Sequence, residues 1–171
     1  MERELIVTRR GTAGDQQQTA ELWCSLVLHH TALNPELPGL APDGVQQWAK
    51  RLAILLEDPT CRLFVAQSPD GRLVGFVTGF VQYWPSVYEP AKFGKVADLF
   101  VEPQWRNRGI AHRLLAQLTG WFLEEHVDRI EVNMMTANQR AIEFWRRLGG
   151  EELMLRMWLP PGWQNSAQKG A

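Results

Sequence analysis

The apolar residues of this 171-residue chain change repeatedly between two spacings, and this change limits the fold more than any other feature of the sequence. Recurrence at every second residue is typical of a half-buried strand, whereas recurrence at every third or fourth residue is typical of an amphipathic helix. Read in order, the segments predict β-α-α-β-β-β-α-β-α-β. Because this order mixes a strand meander with strand–helix–strand crossovers, we expect an α/β (α+β) fold with a mixed sheet covered by helices.

Three elements are predicted in the first part of the chain. Leu5–Val7 is a short strand between charged residues. Asp15, with Gln18 three residues later, is a variant of the capping box and predicts the start of the first helix. Apolar residues at helical spacing over 45–56 predict a second helix, which ends before Pro59 because the residue preceding a proline disfavours helical backbone.

A hairpin is predicted in the middle of the chain. Its strands are 62–66 and 72–81, and the Pro-Asp-Gly sequence at 69–71 supplies the turn. Gly75 and Gly79 lie on one face of the second strand, where the absent side chains allow another element to approach the backbone closely.

An aromatic loop follows the hairpin, and strands and helices then alternate. The prolines of 83–90 exclude a central strand, and 95–101 resumes the strand pattern until Pro103. The remaining predicted elements are helix 110–125, strand 130–134, helix 141–148 and strand 153–159. We expect a single domain over 1–159 and a flexible tail over 160–171, which is rich in Pro, Gly, Ser and Gln.

Charge and cysteine content argue against several classes of protein. The 18 basic and 19 acidic side chains nearly balance, so no nucleic-acid partner is expected. Cys24 and Cys61 form no Cys-x-x-Cys motif and have no histidine at metal-ligand spacing, which predicts no metal site, no disulfide and a cytoplasmic location. No apolar run approaches the ~18 residues of a membrane span, and the N-terminus lacks the pattern of a signal peptide.

A turn with two arginines lies between the strand that ends at Val101 and the helix that begins at Ile110. The first backbone N–H groups of a helix have no partner within the helix and attract anions such as phosphates. Arg106 and Arg108 add charged donors, and Gly109 lets an anion approach the main chain. The segment matches neither the Walker motif nor the dinucleotide fingerprint, so two interpretations stay open: a pyrophosphate site, or a helix start with solvated arginines.

Two segments together resemble conserved blocks of the GNAT superfamily of N-acetyltransferases. The sequence RNRGIA at 106–111, after the strand end DLFVEP at 98–103, is similar to the superfamily's cofactor loop. The sequence NQRAIEFWRRLG at 138–149 is similar to its second block. Two linked motifs in the expected element order are more specific than either alone. The similarity covers roughly residues 5–159, with strong agreement over 95–150.

The resemblance implies a fold, a cosubstrate and the residues that bind it. The implied sheet has six to seven strands flanked by about four helices and is splayed between strands 95–101 and 129–134. Acetyl-CoA is implied to lie across this splay. The implied cofactor-binding residues are Leu99, Phe100, Val101, Arg106, Asn107, Arg108, Gly109, Ile110, Ala111, Asn138, Ala141, Phe144 and Trp145.

One departure from the family pattern concerns the proton donor. Trp145 replaces the usual tyrosine, whose hydroxyl can protonate the departing thiolate of CoA. An indole N–H donates hydrogen bonds but is not an acid in this pH range. The candidate donors are Tyr83, Tyr88, Ser86, Cys61 or water, although a thiolate is itself a fair leaving group.

Asp98 is the candidate general base. An amine like that of lysine has a pKa of ~10.4, so it must lose a proton before it attacks a thioester. Asp98 lies on the strand that the resemblance turns toward the acceptor, although Ala97 stands where polyamine acetyltransferases of the superfamily have a second carboxylate. The alternative is a structural carboxylate that caps a loop or pairs with an arginine.

The acceptor is expected to contact loops, since loops on a rigid sheet commonly carry specificity. The candidate substrate-binding residues are His30, Glu36 in the loop between the first two helices, and Trp84 and Glu89 in the aromatic loop. Trp23, on the first helix, is expected to serve packing alone. A single strand after the last helix leaves a sheet edge open, which indicates a possible homodimer.

Three functions follow from this resemblance. The preferred one is transfer of acetyl from acetyl-CoA to a primary amine of a small molecule, by direct attack in a ternary complex. The second keeps the chemistry but takes a protein or peptide amine as the acceptor. The third is an acyl-CoA-binding sensor or subunit without turnover, which stays open because the tyrosine is absent at position 145.

Overall fold

The computed structural model describes residues 6–89, 92–159 and 161, and these contain five strands and four α-helices. The strands are β1 (Val7–Arg10), β2 (Cys61–Gln67), β3 (Leu73–Tyr83), β4 (Lys92–Val101) and β5 (Ile130–Val132). The helices are α1 (Gln16–Leu33), α2 (Gly44–Glu57), α3 (Ile110–Glu124) and α4 (Gln139–Arg147). The chain divides into two compact units, Met1–Ala137 and Asn138–Ala171, so that α4 belongs to the second.

The first unit is built on one mixed sheet with the strand order β1-β2-β3-β4-β5. The first four strands pair antiparallel, and the tight turn after Gln67 joins β2 to β3 as the predicted hairpin. β5 pairs parallel to β4, and α3 makes the crossover that a parallel pair requires. The predicted mixed α/β class is confirmed.

Helices cover both faces of this sheet. One buried cluster joins α1 and α2 to three strands and contains Leu22, Leu26, Leu52, Leu63, Val65, Leu73, Phe76 and Phe100. α3 packs on the opposite face, where Gly79 is the partner of Arg62 on β2. A Cβ at Gly79 would lie 2.6 Å from the Leu118 side chain of α3. The close approach predicted at this glycine is therefore confirmed, and it brings α3 against the sheet backbone.

The number of strands and the C-terminal strand differ from the prediction. Within the described part of the chain the sheet has five strands, whereas six to seven were expected. Residues 153–159, predicted as a final strand, have no regular secondary structure, and their large apolar side chains are exposed. Apolar and β-prone residues form a strand only beside a partner backbone, so the composition of this segment was not sufficient. The homodimer expectation depended on this strand and stays a prediction.

The ends of the chain limit two further comparisons. β1 begins at Val7, whereas the predicted strand began at Leu5, and residues 1–5 lie outside the described residues. The predicted tail over 160–171 also lies outside them, apart from residue 161.

The capping box predicted at the start of α1 is wrong. Asp15 precedes the helix, but its carboxylate accepts two hydrogen bonds of 2.8 Å from Arg9 and further ones from the N–H and hydroxyl of Thr12. Gln18 accepts a hydrogen bond from the Leu73 backbone N–H at 2.9 Å. Both side chains thus join the helix start to strands of the sheet. A rule based on local residue spacing cannot predict contacts with the sheet.

The second unit contains α4. Asn138 caps its N-terminus, since Oδ1 accepts a hydrogen bond from the Ala141 N–H at 3.1 Å. Gly149, with a φ of 88°, follows its C-terminus in the left-handed region that favours glycine. The predicted helix and its glycine stop are confirmed.

Asp15→Asn should lower the free energy of unfolding near neutral pH and make it less dependent on pH in the acidic range. The hydrogen bonds from Arg9, with those from Thr12, lower the pKa of Asp15 from 3.8 to about 2. The carboxylate therefore stabilises the folded chain above the unfolded-state pKa and loses this effect as the pH falls through the folded-state value. The shift corresponds to about 2 kcal/mol at neutral pH.

Urea unfolding of both proteins between about pH 6 and pH 2 checks this prediction. The difference in the free energy of unfolding should shrink steadily as the pH falls. Asp128→Asn, at an exposed aspartate, is the control and should behave as the unmodified protein does. A difference that is the same at every pH would contradict the assigned role of the ion pair.

Candidate functional site

The strands β4 and β5 separate at one side of the sheet, where β5 is the last strand. They pair only between Gly94–Val96 on β4 and Ile130–Val132 on β5. Over 98–101, β4 pairs with β3 on one edge, and no strand of the described residues pairs with its other edge. Backbone N–H and C=O groups that point to this edge have no ladder partner, and such groups need hydrogen bonds from another source. An extended ligand with amide groups fits the edge as an added strand does.

A β-bulge at Ala97 decides which way Asp98 faces. Val96 pairs with Gly79 and Asp98 with Thr78, so Ala97 has no partner on β3. Alternate residues of a regular strand share a face, but the bulge turns Val96 to the α3 side and Asp98 to the α1 side. Asp98 therefore lies where the unpaired edge begins, on the face covered by α1 and α2.

The Asp98 carboxyl accepts a hydrogen bond from Thr78, whose Oγ1 lies 2.9 Å from Oδ2. The Trp23 side chain on α1 is a weaker hydrogen-bonding influence that also lowers the pKa of this carboxyl. Trp23 in turn stacks on Trp48 of α2, with ring centroids 5.1 Å apart. Burial raises the pKa of Asp98 above its ordinary value, and the hydrogen bonds from Thr78 and Trp23 oppose that rise.

A tight loop lies in front of α3. Asn107 and Gly109 have positive φ angles of 62° and 74°. Gly109 is the N-cap of α3 and has no side chain to occupy the first N–H groups of the helix. A Cβ at this position would meet no other atom within 4 Å, so the space beside Gly109 itself is open. This arrangement fits the phosphate groups of a nucleotide cofactor.

The two arginines of the loop lie over aromatic rings. Arg106 Nε donates to the Val101 carbonyl oxygen at 2.8 Å, and its guanidinium lies 5.7 Å from the centre of the Phe100 ring. The Arg108 guanidinium lies 4.8 Å from the centre of the Trp105 ring. Arg106 thus joins the loop to the end of β4. The loop and the unpaired edge form one continuous surface of the first unit.

The other predicted cofactor residues of this unit vary in exposure. Phe100, Val101 and Ile110 are buried, whereas Leu99 and Ala111 are half-buried. Burial of Ile110 anchors the first turn of α3 in the core. A buried side chain still presents its backbone groups, which is the role that the resemblance implies for 99–101.

The second block of predicted cofactor residues lies in the second unit. The side-chain oxygen Oδ1 of Asn138 caps α4, so the side-chain NH2 group is the part that can bind a ligand. Phe144 and Trp145 are half-buried, with their rings edge to face and centroids 5.3 Å apart. Ala141 is half-buried on the same helix.

The aromatic loop lies far from Asp98 along the sheet. Tyr83 ends β3, five residues beyond Thr78, the partner of Asp98, and this is roughly 17 Å at ~3.3 Å per residue. The Tyr83 and Tyr88 side chains are exposed. Trp84 is half-buried and packs against Tyr88 with centroids 5.9 Å apart. The structure does not bring Tyr83 to Asp98.

The other candidate substrate-binding residues lie at the ends of elements. His30 is half-buried in the last turn of α1, where burial and the neighbouring His29 lower its pKa, so that it is neutral near pH 7. Glu36 is exposed in the loop between α1 and α2, and Glu89 is exposed after β3. Among the described contacts, none joins these side chains to Asp98.

Trp23 is the site residue that sequence reasoning missed. Its spacing with Ala20 and Leu26 predicted packing alone, and it does pack against the core cluster. Its indole N–H also reaches Asp98, which lies far along the chain. The only sequence signal for such a contact is the high tryptophan content, and this does not identify which tryptophan lies beside a carboxylate.

Several other chemistries lack a basis in the described residues. No group of three or more His, Cys, Asp or Glu side chains there could hold a metal ion, and no helix there is long and apolar enough to cross a membrane. Burial raises the pKa of Cys61 to about 12, so this thiol is neither a nucleophile nor a proton donor near neutral pH.

The sequence matches the model of a protein family described as "Acetyltransferase (GNAT) family" over residues 24–150. A curated relative, an L-amino acid N-acetyltransferase of Escherichia coli K12, is 33% identical over 108 residues, which cover 61% of this chain and 60% of the relative. The match therefore spans about three fifths of that relative's length.

Solved structures share the fold. The aminoglycoside 6'-N-acetyltransferase AAC(6')-Ih from Acinetobacter baumannii has a TM-score of 0.73 at 15% identity and covers 91% of this chain and 97% of its own. AAC(6')-Iy, solved in complex with CoA, has a TM-score of 0.68 at 18% identity over 91% of this chain and 94% of its own. At these identities the likeness concerns the fold alone.

Gly109→Glu should lower the affinity for CoA by about tenfold or more. The substitution forces a side chain into left-handed backbone and places a carboxylate where the phosphates would bind, and a lost charged hydrogen bond alone accounts for about this factor. Isothermal titration calorimetry with CoA measures the change.

Gly149→Glu is the matched control for this substitution. Gly149 also has a positive φ, of 88°, and a Cβ there would also meet no atom within 4 Å, but it follows the C-terminus of α4 rather than the N-terminus of α3. The control should bind CoA normally. Equal affinities for the Gly109 variant and the unmodified protein would show that the loop does not hold the cofactor.

Proposed function

This chain belongs to the GNAT acetyltransferase family, and we propose that it transfers an acetyl group from acetyl-CoA to the primary amine of a small molecule by direct attack in a ternary complex. One observation carries the proposal. The unpaired edge of β4 is followed by the loop that carries Arg106 and Arg108 and by the N-terminus of α3. On the same strand, the partly buried carboxyl of Asp98 faces the α1 side of the sheet.

The backbone of β4 and the start of α3 supply the cofactor contacts in this proposal. Acetyl-CoA supplies the acetyl group as an activated thioester. Backbone groups of residues 99–101 bind the amide-containing arm, and those of 107–111 bind the pyrophosphate with Arg106 and Arg108 nearby. Asn138, Ala141, Phe144 and Trp145 of the second unit are proposed to contact the arm as well.

Asp98 is proposed to accept the proton of the attacking amine, directly or through a water. An alkyl amine is mostly protonated at neutral pH and is a nucleophile only after it loses that proton. The burial of Asp98 raises its pKa, which makes it a stronger base than an exposed aspartate. The backbone N–H groups near Val101 are proposed to stabilise the negative charge that develops on the thioester oxygen.

The departing thiolate does not require a dedicated acid in this proposal. Trp145 has no acidic proton, Cys61 is too weak an acid, and Tyr83 lies roughly 17 Å from Asp98 along the sheet. Tyr88 stays a candidate donor because it belongs to a loop. Water is the simplest proton source, since a thiol with a pKa of ~8.5 is a fair leaving group.

A small-molecule acceptor is supported by two kinds of observation. The curated relative from Escherichia coli is named for L-amino acids and the solved structure from Acinetobacter baumannii for aminoglycosides, and both are small molecules that carry amino groups. Glu36, Glu89 and Trp84 lie in loops, where they can attract and contact a cation, and His30 lies at the end of α1. We propose them as acceptor contacts.

Location and assembly are part of the same proposal. Cys24 and Cys61 are both free thiols, which supports a reducing, cytoplasmic environment. We propose a homodimer that pairs through the edge of β5, which no described strand covers.

Two measurements on the unmodified protein test the proposed function. Calorimetry should detect binding of acetyl-CoA, and thiol release should accompany acetylation of at least one member of a panel of amino acids, aminoglycosides, polyamines and peptides. Binding without turnover on any amine would favour the acyl-CoA sensor. Turnover on peptides alone would favour a protein acceptor, and the absence of binding would contradict the whole assignment.

Asp98→Asn should lower kcat by about 100-fold, because general base catalysis contributes roughly 10²–10⁴ in rate. The affinity for acetyl-CoA should change by less than about twofold, since the carboxyl faces the α1 side of the strand. Steady-state kinetics and calorimetry separate the two effects. Asp128→Asn is the control, and an unchanged kcat for the Asp98 variant would remove Asp98 as the base.

A further inference from the structure

Thr78 and Asp98 form a cross-strand pair on the face of the sheet that α1 covers. Opposite residues on one face of an antiparallel pair have Cβ atoms about 4.5–5.5 Å apart, which lets a short hydroxyl side chain reach a carboxyl. Thr78 is 3% exposed, and its Oγ1 donates to Asp98 Oδ2 at 2.9 Å. A threonine hydroxyl has one proton to donate, and here it is directed to Asp98.

The backbone fixes this pair firmly. Threonine is branched at Cβ and has few χ1 rotamers, so the direction of its hydroxyl follows from the direction of β3. The bulge at Ala97 brings Asp98 opposite Thr78, whereas a regular strand would turn residue 98 to the α3 side with Val96. The contact therefore exists because of an irregularity in β4.

Trp23 approaches the same carboxyl from α1. Its ring is held by the stack on Trp48, which itself meets Phe76 of β3 edge to face at 6.2 Å between centroids. The indole N–H is a donor only, so Trp23, like Thr78, can act on the carboxyl only by donating to it. Hydrogen bonds donated to a carboxylate favour its ionised form.

We infer that Thr78 is a positioning residue: its hydroxyl fixes the orientation of the Asp98 carboxylate and keeps it ionised, with Trp23 as a second donor. The inference rests on the proposed function, because the orientation matters for a base that receives a proton from the acceptor amine. Thr78 itself is placed in no contact with substrate or cofactor.

Apart from Thr78 and Trp23, no charged or titratable group of the neighbouring elements is among the influences on the Asp98 pKa. The charged and titratable groups of the elements around Asp98 are Glu21, Cys24, His29 and His30 of α1, Lys50, Arg51 and Glu57 of α2, Tyr83 of β3, and Lys92 and Lys95 of β4. Of these, Lys92 and its partner Tyr83 lie on the α3 side, where Lys92 Nζ pairs with Glu125. The influences on the Asp98 pKa are burial, Thr78 and Trp23. A change at Thr78 should therefore appear directly in the titration of Asp98.

Three variants test the inference. Thr78→Val removes the hydroxyl at nearly constant volume, and Thr78→Ser keeps it on a smaller side chain. Thr19→Val is the matched control, because Thr19 is fully buried and its hydroxyl donates at 2.8 Å to the backbone oxygen of Asp15 rather than to Asp98. Urea unfolding of all three gives the purely structural cost of each change.

The main readout is the titration of the Asp98 carboxyl by carbon-13 NMR in the resting protein, assigned with Asp98→Asn. Thr78→Val should raise the Asp98 pKa by about one unit, and the acidic limb of the kcat/KM profile should move to higher pH by the same amount. KM for acetyl-CoA should change by less than about twofold. Thr78→Ser and Thr19→Val should titrate as the unmodified protein does.

An Asp98 pKa that does not move in Thr78→Val, with a loss of stability like that of Thr19→Val, would reduce Thr78 to a structural role. Thr78→Ser titrating like Thr78→Val would also overturn the inference, since the hydroxyl would then not be the responsible group. The titration needs no turnover. Failure of the unmodified protein to acetylate any amine would contradict the proposed function and leave the titration result standing.

Discussion

The unpaired edge of β4 is the constraint on which the rest of the site depends. β4 and β5 share only three pairs of residues before they separate, so the backbone of 98–101 has a ladder on one side only. Backbone groups of this kind need hydrogen bonds from another strand, from water or from a ligand, and an extended ligand beside β4 would supply them. The bulge at Ala97 and the open start of α3 are the local features that shape this gap.

The site separates its two charges along one strand. The positive end contains the N-terminus of α3, Arg106 and Arg108, whereas the negative group, Asp98, lies three residues before Val101, or roughly 10 Å at ~3.3 Å per residue. In the proposed function, the anionic cofactor is drawn to the α3 end of this strand and a cationic acceptor to Asp98. The nearly neutral net charge of −1 conceals this local arrangement.

Local patterns in the sequence were sufficient for most of the helices and strands but not for the contacts between them. The hairpin, β4 and α3 follow from spacing, and the turn at Arg106–Gly109 follows from the change of period between a strand and a helix. The bulge at Ala97 and the meeting of Trp23 with Asp98 depend on register and on helix placement, which no local rule contains. The failure of 153–159 to form a strand has the same origin, since a strand needs a partner that composition does not supply.

Amide hydrogen exchange with and without acetyl-CoA tests most directly whether the gap beside β4 is the cofactor site. Amides that gain a hydrogen bond or lose access to water exchange more slowly. Protection should appear at residues 99–101 and at the first turn of α3. Little change is expected in β1 or near Trp121, which lies toward the C-terminal end of α3 beside Arg62. Saturating acetyl-CoA that leaves 99–101 and 107–111 unprotected, or that protects the Trp121 region instead, would contradict the account.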